Sequence, residues 1–314
     1  MAVNADNRNG AASEATSMPR AHVLIVGCGY VGRRLARRLL ERYDVSALVR
    51  SEASAAELER MGIPATVMDL DRVRADAHVP ERLDREAIVY LTPPPDRGES
   101  DLRLNRFLEL ASVPPRTFVY MSTTGVYGDA GGSLVDESSP PAPGTDRARR
   151  RVSAEEMTRV WCTERRVRRV VLRVPGIYGP GRLPLERLRR GEPVLREQDC
   201  GPGNRIHVDD LVSACVQAII NPEALGVYNI TDGDPLSSTA FSNLVARLAG
   251  LPPPPQVGLE EAQLTFPPER LSFLGEFRRV SNLRMLKHLG VVLRYPTAEA
   301  GVRASLAEQA SQGP

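Results

Sequence analysis

From His22 onward, the chain alternates short apolar runs with segments that have the apolar spacing of amphipathic helices. Buried strands are predicted at HVLIVG, DVSALV, PATVM, AIVYLT, RTFVYMS and RVVLRV. Helices are predicted between them at VGRRLARRLLER, ASAAELERM, DLRLNRFLELA and the RVSAEEMTRVWCTERR region. Strands that alternate with helices favour parallel pairing through right-handed crossovers. The pattern therefore predicts an α/β fold with a doubly wound parallel sheet.

The alternation ends near Gly179, which suggests a division of the chain. Residues 21–180 are predicted to form the main sheet domain, and residues 181–314 a smaller C-terminal substrate lobe. Within that lobe, residues 204–235 contain a helix-like and a strand-like segment, DDLVSACVQAII and GVYNITD, that we expect to return to the main sheet. Residues 1–20 are small and polar, and are predicted to be a disordered tail.

Composition narrows the class of partner. The 314 residues carry 41 Lys+Arg and 39 Asp+Glu, so the net charge of +2 favours neither nucleic acid nor a membrane surface. The four cysteines form no CxxC pair and no metal-type spacing with histidines, which predicts reduced thiols and no metal site. No run approaches the roughly 20 apolar residues of a membrane span. We therefore expect a cytoplasmic protein.

The segment VLIVGCGYVGRRLARRL places GxGxxG between a predicted strand and a predicted helix. Gly27 permits the tight turn, Gly29 lets the backbone approach a pyrophosphate, and Gly32 lets the helix pack against the strand. The helix begins at Tyr30 and Val31, where unpaired N–H groups and the positive dipole end favour phosphate. This arrangement predicts a dinucleotide-binding Rossmann domain.

The residues after the second strand distinguish two cofactors. An NAD site carries Asp or Glu there to bind the ribose 2′-OH, whereas this chain has Arg50 and Ser51. A guanidinium and a hydroxyl suit a 2′-phosphate through charge-assisted hydrogen bonds. Arg33, just after the third glycine, is a further phosphate candidate. The residues favour NADP, with NAD as the alternative.

Four further segments, MDLDR, FVYMSTTGVYGD, LRVPGIYGPGR and NRIHVDDLV, follow in order along the chain. Together with the glycine turn they resemble the extended short-chain dehydrogenase/reductase superfamily, in its NAD-dependent epimerase/dehydratase branch. The resemblance extends from about His22 to near Leu306.

The resemblance implies roles for individual residues. Thr123 would hydrogen-bond the substrate carbonyl or hydroxyl, while Arg205 and His207 would line the substrate pocket. For His207 the alternative is a bond within its loop, and Asp209 is placed to cap the following helix. Further residues would border the cofactor: Asp69, Leu70, Leu91, Thr92, Pro93, Ser122, Pro175 and Ile177.

The chain departs from the family at one motif. The family has YxxxK at the start of the helix after strand five, with Glu four residues later, and the tyrosine transfers the proton. Aligning that glutamate with Glu155 puts Arg147 at the tyrosine and Arg151 at the lysine. Arginine stays charged and has no acceptor, so Arg147 is unsuited to transfer that proton, whereas Arg151 suits a ribose or phosphate oxygen. Tyr127 is the first substitute proton donor and Tyr178 the second.

Two functions remain open. In the first, the protein is an atypical oxidoreductase or epimerase that transfers hydride at a carbonyl or hydroxyl carbon of a small molecule, with a nucleotide-sugar-like compound as the substrate that the resemblance implies. In the second, it binds NADP(H) without chemistry, as a sensor or scaffold. The polar groups kept in STTGVYG and GIYGPGR favour the enzyme.

The resemblance also implies a homodimer, formed through helices that include the one carrying Trp161. Nucleic-acid binding through the arginines is disfavoured by the interleaved glutamates.

Overall fold

The computed structural model describes residues 20–73, 77–271 and 275–311. The predicted N-terminal tail lies outside these residues, apart from Arg20.

Within these residues, thirteen strands and ten α-helices follow one another along the chain. The strands are β1 (His22–Val26), β2 (Asp44–Val49), β3 (Ala65–Val67), β4 (Arg85–Tyr90), β5 (Thr117–Thr123), β6 (Leu134–Val135), β7 (Arg168–Val174), β8 (Gly176–Tyr178), β9 (Val194–Leu195), β10 (Arg205–His207), β11 (Gly226–Asn229), β12 (Gln256–Val257) and β13 (Arg279–Val280). The helices are α1 (Tyr30–Leu39), α2 (Glu52–Arg60), α3 (Leu102–Leu110), α4 (Asp146–Glu164), α5 (Leu185–Arg189), α6 (Val208–Ile220), α7 (Ser238–Leu248), α8 (Leu259–Thr265), α9 (Pro268–Leu271) and α10 (Ala298–Ser311).

The main sheet has seven parallel strands in the order β11-β7-β5-β4-β1-β2-β3. This topology confirms the predicted doubly wound α/β fold. The strand β11, from the GVYNITD segment, pairs with β7 at one edge. The direction of winding reverses between β4 and β1, and in sheets of this kind ligands bind at the carboxyl ends of the strands near that point.

Alternation along β1 explains why helices cover both faces. Val23 and Ile25 pack into the core cluster that contains residues of α1 and α6. Leu24 and Val26 pack into the opposite cluster, which contains residues of α3 and α4. Both faces are buried, as expected for a parallel sheet.

After Gly179, several short elements that the hydrophobic pattern did not predict accompany the predicted α6 and β11. The strands β9 and β12 pair with each other, as do β6 and β13, with two residues each. Helix α7 packs with α10 around a separate apolar core that includes Tyr178, Val245 and Val302.

Candidate functional site

The glycine turn has the shape that a dinucleotide site requires. Gly27 has a φ of +85°, and a Cβ there would lie 2.6 Å from Thr92 Oγ1. A Cβ on Gly32 would lie 3.2 Å from Cys28 Sγ, so this glycine permits the close approach of α1 to β1. At Gly29 a Cβ would meet no atom within 4 Å, so the turn leaves open space beside its backbone. The turn fits a pyrophosphate.

A cleft of about 340 Å³ opens beside this turn, and we call it the glycine-turn cleft. It brings together residues from the ends of four parallel strands. The predicted residues that line it are Gly27, Gly29, Arg33, Arg50, Ser51, Asp69, Leu70, Thr92 and Pro93. The cleft therefore collects most of the cofactor residues predicted on the β1 to β4 side of the sheet.

Polar groups surround the end of β2 in this cleft. Ser51 caps α2, because its Oγ accepts the N–H of Ser54 at 3.3 Å. Ser54 also lines the cleft, although no motif in the sequence indicated it. Arg50 is exposed at the same rim. By contrast, the guanidinium of Arg33 is bound by both carboxylate oxygens of Glu57.

Arg103 is a cleft residue that sequence reasoning missed. It comes from α3, and its guanidinium binds Asp71 at 2.6 and 2.8 Å and the carbonyl of Pro93 at 3.0 Å. Its hydrogen bonds to Asp71 lower the pKa of that carboxyl. Arg103 thus ties the β3 and β4 ends of the cleft together. No local pattern indicates this, because the partners are far apart in sequence.

A second cleft, of about 420 Å³, lies at the ends of β5 and β7, and we call it the Thr123 cleft. The predicted residues Thr123, Pro175, Ile177 and Arg205 line it. Its other lining residues are Thr124, Gly125, Arg147, Gly176, Arg182, Pro202, Gly203, Asn204, Ser238, Glu276 and Arg278. Because β1, β4, β5 and β7 are parallel, both clefts open at the same edge of the sheet.

Thr123 starts the turn that follows β5. Its Oγ1 accepts the N–H of Gly125 at 3.1 Å, and this role does not use the hydroxyl hydrogen. A Cβ on Gly125 would lie 3.4 Å from Thr123 Oγ1 and 4.0 Å from the Cβ of Ala148. These are ordinary van der Waals distances, so Gly125 lies in normal packing contact with both Thr123 and the first turn of α4.

Arg205 lies where the Thr123 cleft meets a third cleft of about 450 Å³, which Tyr178, Phe241 and Arg270 also line. The residue is 7% exposed, and its guanidinium lies over the Phe241 ring. Nη2 donates to the carbonyl of Ser237 at 3.3 Å, whereas Nη1 has no hydrogen-bond partner among the described residues. Burial lowers the pKa of this guanidinium. The carboxylates of Asp232 and Asp234 oppose this shift, so the charge of Arg205 is partly compensated within the protein.

His207 lies buried at the start of α6 and is not among the residues that line the Thr123 cleft. It is 1% exposed and caps α6, because its Nδ1 accepts the N–H of Asp209 at 3.2 Å. Its Nε2 lies 3.2 Å from Ser305 Oγ. Burial lowers the pKa of His207 to about 4, so the ring is neutral at pH 7. The cap is thus His207, and the expectation that Asp209 caps the helix is wrong.

Both candidate tyrosine hydroxyls are directed away from the Thr123 cleft. Tyr127 is 3% exposed, and its hydroxyl donates to Asn229 Oδ1 at 2.8 Å. The hydroxyl of Tyr178 lies against α10, where it would overlap a Cβ on Gly301. Burial raises the pKa of each phenol. Neither side chain lines this cleft.

Helix α4 carries the arginine-rich segment, and its side chains go to separate places. Arg147 lines the Thr123 cleft. Arg151 donates to the carbonyl of Met121 at 2.6 Å and to the hydroxyl of Tyr120 at 3.2 Å. Ser122, predicted to touch cofactor, donates to Glu155 at 2.6 Å inside the protein. Thus Arg147 lines a site cleft, whereas Arg151 and Ser122 bond within the protein.

The remaining predicted residues lie between or beneath the clefts. The hydroxyl of Tyr30 donates to the carbonyl of Pro180 at 2.9 Å and so joins α1 to the loop after β8. Val31 is buried in the core, and Leu91 packs against the same core. Trp161 is also buried, at 6% exposure, and donates to the carbonyl of Leu108. Its indole therefore packs within the chain.

The described ranges hold no sign of a metal centre or a membrane span. Within them, no group of three or more His, Cys, Asp or Glu residues is arranged to hold a metal ion. All four cysteines are free thiols. Of the helices described, none is both long and apolar enough to cross a membrane.

The profile of the NAD-dependent epimerase/dehydratase family matches residues 23–231. The chain belongs to the NAD-dependent epimerase/dehydratase family. This confirms the family predicted from the ordered motifs. Among curated relatives, a 3-diazoavenalumate denitrifying reductase from Streptomyces sp is 29% identical over 256 residues, or 74% of this chain and 83% of that protein.

Solved structures of other proteins share this fold. A functionally unknown conserved protein from Silicibacter pomeroyi DSS is 29% identical, with a TM-score of 0.79 over 92% of this chain and 99% of that chain. The UDP-glucuronic acid 4-epimerase of Bacillus cereus, in complex with UDP-glucuronic acid and NAD, is 17% identical. Its TM-score is 0.73 over 93% of this chain and 99% of that chain.

Proposed function

We propose that the protein is an NADP-dependent reductase or dehydrogenase that transfers hydride at a carbonyl or hydroxyl carbon of an anionic small molecule. One observation carries the proposal: a dinucleotide turn and an arginine-lined cleft open at the same edge of one sheet. The name of the Streptomyces relative, a reductase, supports redox chemistry. A bound NADPH would supply the hydride.

The glycine-turn cleft fits the adenosine half of such a cofactor. The open space at Gly29 accommodates the pyrophosphate. Arg50 and the hydroxyls of Ser51 and Ser54 offer donors at the end of β2 for a 2′-phosphate. The NAD complex of the Bacillus epimerase makes NAD the competing choice. The positive charge of Arg50 at this rim supports NADP as the proposed cofactor.

The Thr123 cleft would hold the substrate. The hydroxyl of Thr123 would donate to the reacting oxygen, and the positive charge of Arg205 in the cleft lining would attract an anionic group. A nucleotide-sugar-like compound, as in the Bacillus complex, meets this requirement through its phosphates. Solvent entering the open cleft would supply the proton, because the tyrosine hydroxyls are directed elsewhere.

Calorimetric titration tests the cofactor. We expect NADP+ to bind more tightly than NAD+. The substitution Arg50→Ala should weaken the binding of NADP+ by about 10- to 100-fold and leave the binding of NAD+ unchanged. Arg60→Ala is the matched control, since Arg60 is at the other end of α2 and bonds the carbonyl of Ala56. Preference for NAD+ in the wild type, or equal effects of the two substitutions, would contradict the cofactor assignment.

Oxidation of NADPH tests the chemistry. The panel should contain sugar nucleotides and carboxylate-bearing aldehydes and ketones, with loss of NADPH absorbance as the signal. The competing function is an NADP(H)-binding sensor without turnover, which the placement of the Tyr127 hydroxyl on Asn229 favours. Tight NADPH binding with no oxidation across the panel would select the sensor.

Association into a homodimer is part of the same proposal. Leu102 and Val160, on α3 and α4, are 50% and 41% exposed and would lie at the contact. Sedimentation of the full chain tests it, and a single species of monomer mass at micromolar concentration would refute it.

A further inference from the structure

By the resemblance given above, Arg147 aligns with the tyrosine that transfers the proton in the family. Arg147 lies in the first turn of α4, one residue after Asp146, and its side chain lines the Thr123 cleft. The guanidinium is partly desolvated there and lies near other cations, which lowers its pKa against the opposing effect of Glu276. The side chain remains a cation at neutral pH.

The other arginines of the segment face elsewhere. Arg149 binds Asp146 at 2.5 Å on the solvent side, Arg150 donates to the carbonyl of Gly98 at 2.8 Å, and Arg151 reaches the strand β5. Of the four arginines in this turn and the next, Arg147 is the one that lines the Thr123 cleft.

The surroundings favour negative charge in this cleft. Arg147, Arg182, Arg205 and Arg278 line it, and the acidic lining residue Glu276 is paired with Arg278 at 2.8 Å. Arg205 is largely buried at this cleft, and the carboxylates of Asp232 and Asp234 also act on its guanidinium.

We propose that Arg147 is a catalytic residue that stabilises the negative charge developing on the substrate oxygen during hydride transfer, in place of protonating it. This inference rests on the proposed reductase function. Arg147 and the hydroxyl of Thr123 would donate to the same oxygen, from the first turn of α4 and the end of β5. Preorganised donors of this kind replace a proton donor when they hold the oxyanion until solvent protonates it.

The step balances with NADPH and water. As hydride adds to the carbonyl carbon, the π electron pair moves onto oxygen, and Arg147 and Thr123 hold the resulting alkoxide. Water then protonates the alkoxide and leaves hydroxide, which the buffer neutralises. The carbonyl compound is reduced to the alcohol and NADPH is oxidised to NADP+.

A probe that needs no turnover tests the inference directly. para-Nitrophenol absorbs differently as phenol and phenolate, so a pH titration of the NADP+-loaded protein gives the pKa of the bound phenol. We expect binding in the Thr123 cleft to lower that pKa by about one pH unit or more. Arg147→Met should abolish the shift, Arg147→Lys should retain part of it, and Arg149→Met should retain all of it. The circular dichroism spectrum checks that each variant is folded.

Kinetics with a carbonyl probe separate the inference from the proposed function. With para-carboxybenzaldehyde and NADPH, Arg147→Met should lower kcat by about 10²- to 10³-fold and Arg149→Met should not. A bound phenol whose pKa is unshifted, no phenolate binding, or a shift that survives Arg147→Met would overturn the role of Arg147. Absence of NADPH oxidation together with a shift that depends on Arg147 would instead refute the reductase and leave the oxyanion site standing.

Discussion

The buried ion pair between Glu155 and Arg173 gives the sharpest stability prediction. The two side chains are 10% and 5% exposed, and they meet through contacts of 2.8 and 3.1 Å. Ser122 adds a hydrogen bond of 2.6 Å to the same carboxylate. Glu155→Gln keeps the shape but leaves the guanidinium charge of Arg173 buried without its counter-charge. Removing one member of a buried pair typically lowers the free energy of unfolding by about 3–5 kcal/mol.

Urea unfolding measures this loss as a lower midpoint at unchanged slope. The control is Glu156→Gln, the next residue, whose pair with Arg159 is more than half exposed on both sides and should be worth less than about 1 kcal/mol. The double variant Glu155→Met with Arg173→Met should recover most of the loss, because no charge remains buried. If Glu155→Gln loses no more than Glu156→Gln, or the double variant is as unstable as the single, the pair does not stabilise the fold as argued.

Three further predictions concern single positions. Tyr127→Phe should lower the free energy of unfolding by about 1–2 kcal/mol through the lost bond to Asn229 and leave kcat unchanged. Gly128→Ala should cost about 2–4 kcal/mol, since φ is +64° and the added Cβ would overlap the carbonyl oxygen of Ala142. Burial raises the pKa of Asp232 to about 7, so the stability of wild type relative to Asp232→Asn should fall by up to about 1.4 kcal/mol per pH unit between pH 4 and 7.

The sign for Asp232 follows from where the proton is bound. An unfolded aspartate loses its proton near pH 4, whereas the folded carboxyl keeps it until about pH 7. Folded protein therefore binds more protons in this window, and its stability declines as pH rises. A pH-independent difference in stability between wild type and Asp232→Asn would refute the assignment.

For Gly128→Ala the control is Gly131→Ala, because Gly131 also has a positive φ but open space around the added Cβ. Equal losses of stability in the two variants would contradict the steric argument. A large fall in kcat in Tyr127→Phe would show that its hydroxyl takes part in turnover.

The parts of the fold that sequence predicts correctly depend on local periodicity. The near-continuous apolar runs of β1, β4 and β5 and the spacing of Val31, Leu35 and Leu39 on α1 are local signals, and each predicts the correct element. The hydrophobic pattern does not predict β9 and β12, because each has two residues and the two pair between distant parts of the chain. Such pairing leaves no period to detect.

The candidate site also has one part that the sequence predicts and another that it does not. The glycine turn is predictable because φ and close packing at Gly27 and Gly32 demand glycine at fixed spacing. The directions of polar side chains are not, because partners far along the chain determine them. The Tyr127 hydroxyl is taken by Asn229, 102 residues away, and the His207 ring lies beside Ser305, 98 residues away. A motif gives the position of a side chain, while tertiary packing decides where its hydrogen bonds go.

In the arginine-rich first turns of α4, the sequence likewise gives the positions of the arginines but not the directions of their side chains. The chain has four arginines at positions 147 and 149–151 and no tyrosine or lysine there for proton transfer. The fold separates them: Arg149 lies in solvent, Arg150 and Arg151 bind backbone carbonyls, and Arg147 lines the cleft beside Thr123. In the proposed role, the Arg147 cation stabilises the oxyanion of the substrate without supplying a proton, so the proton comes from solvent. The pH dependence of kcat tests this role, and Asp232, which titrates near pH 7 and acts on Arg205, is therefore replaced first, in Asp232→Asn. In that variant kcat should show no limb from a titrating proton donor between about pH 6 and 9, and a limb that persists there would refute this role.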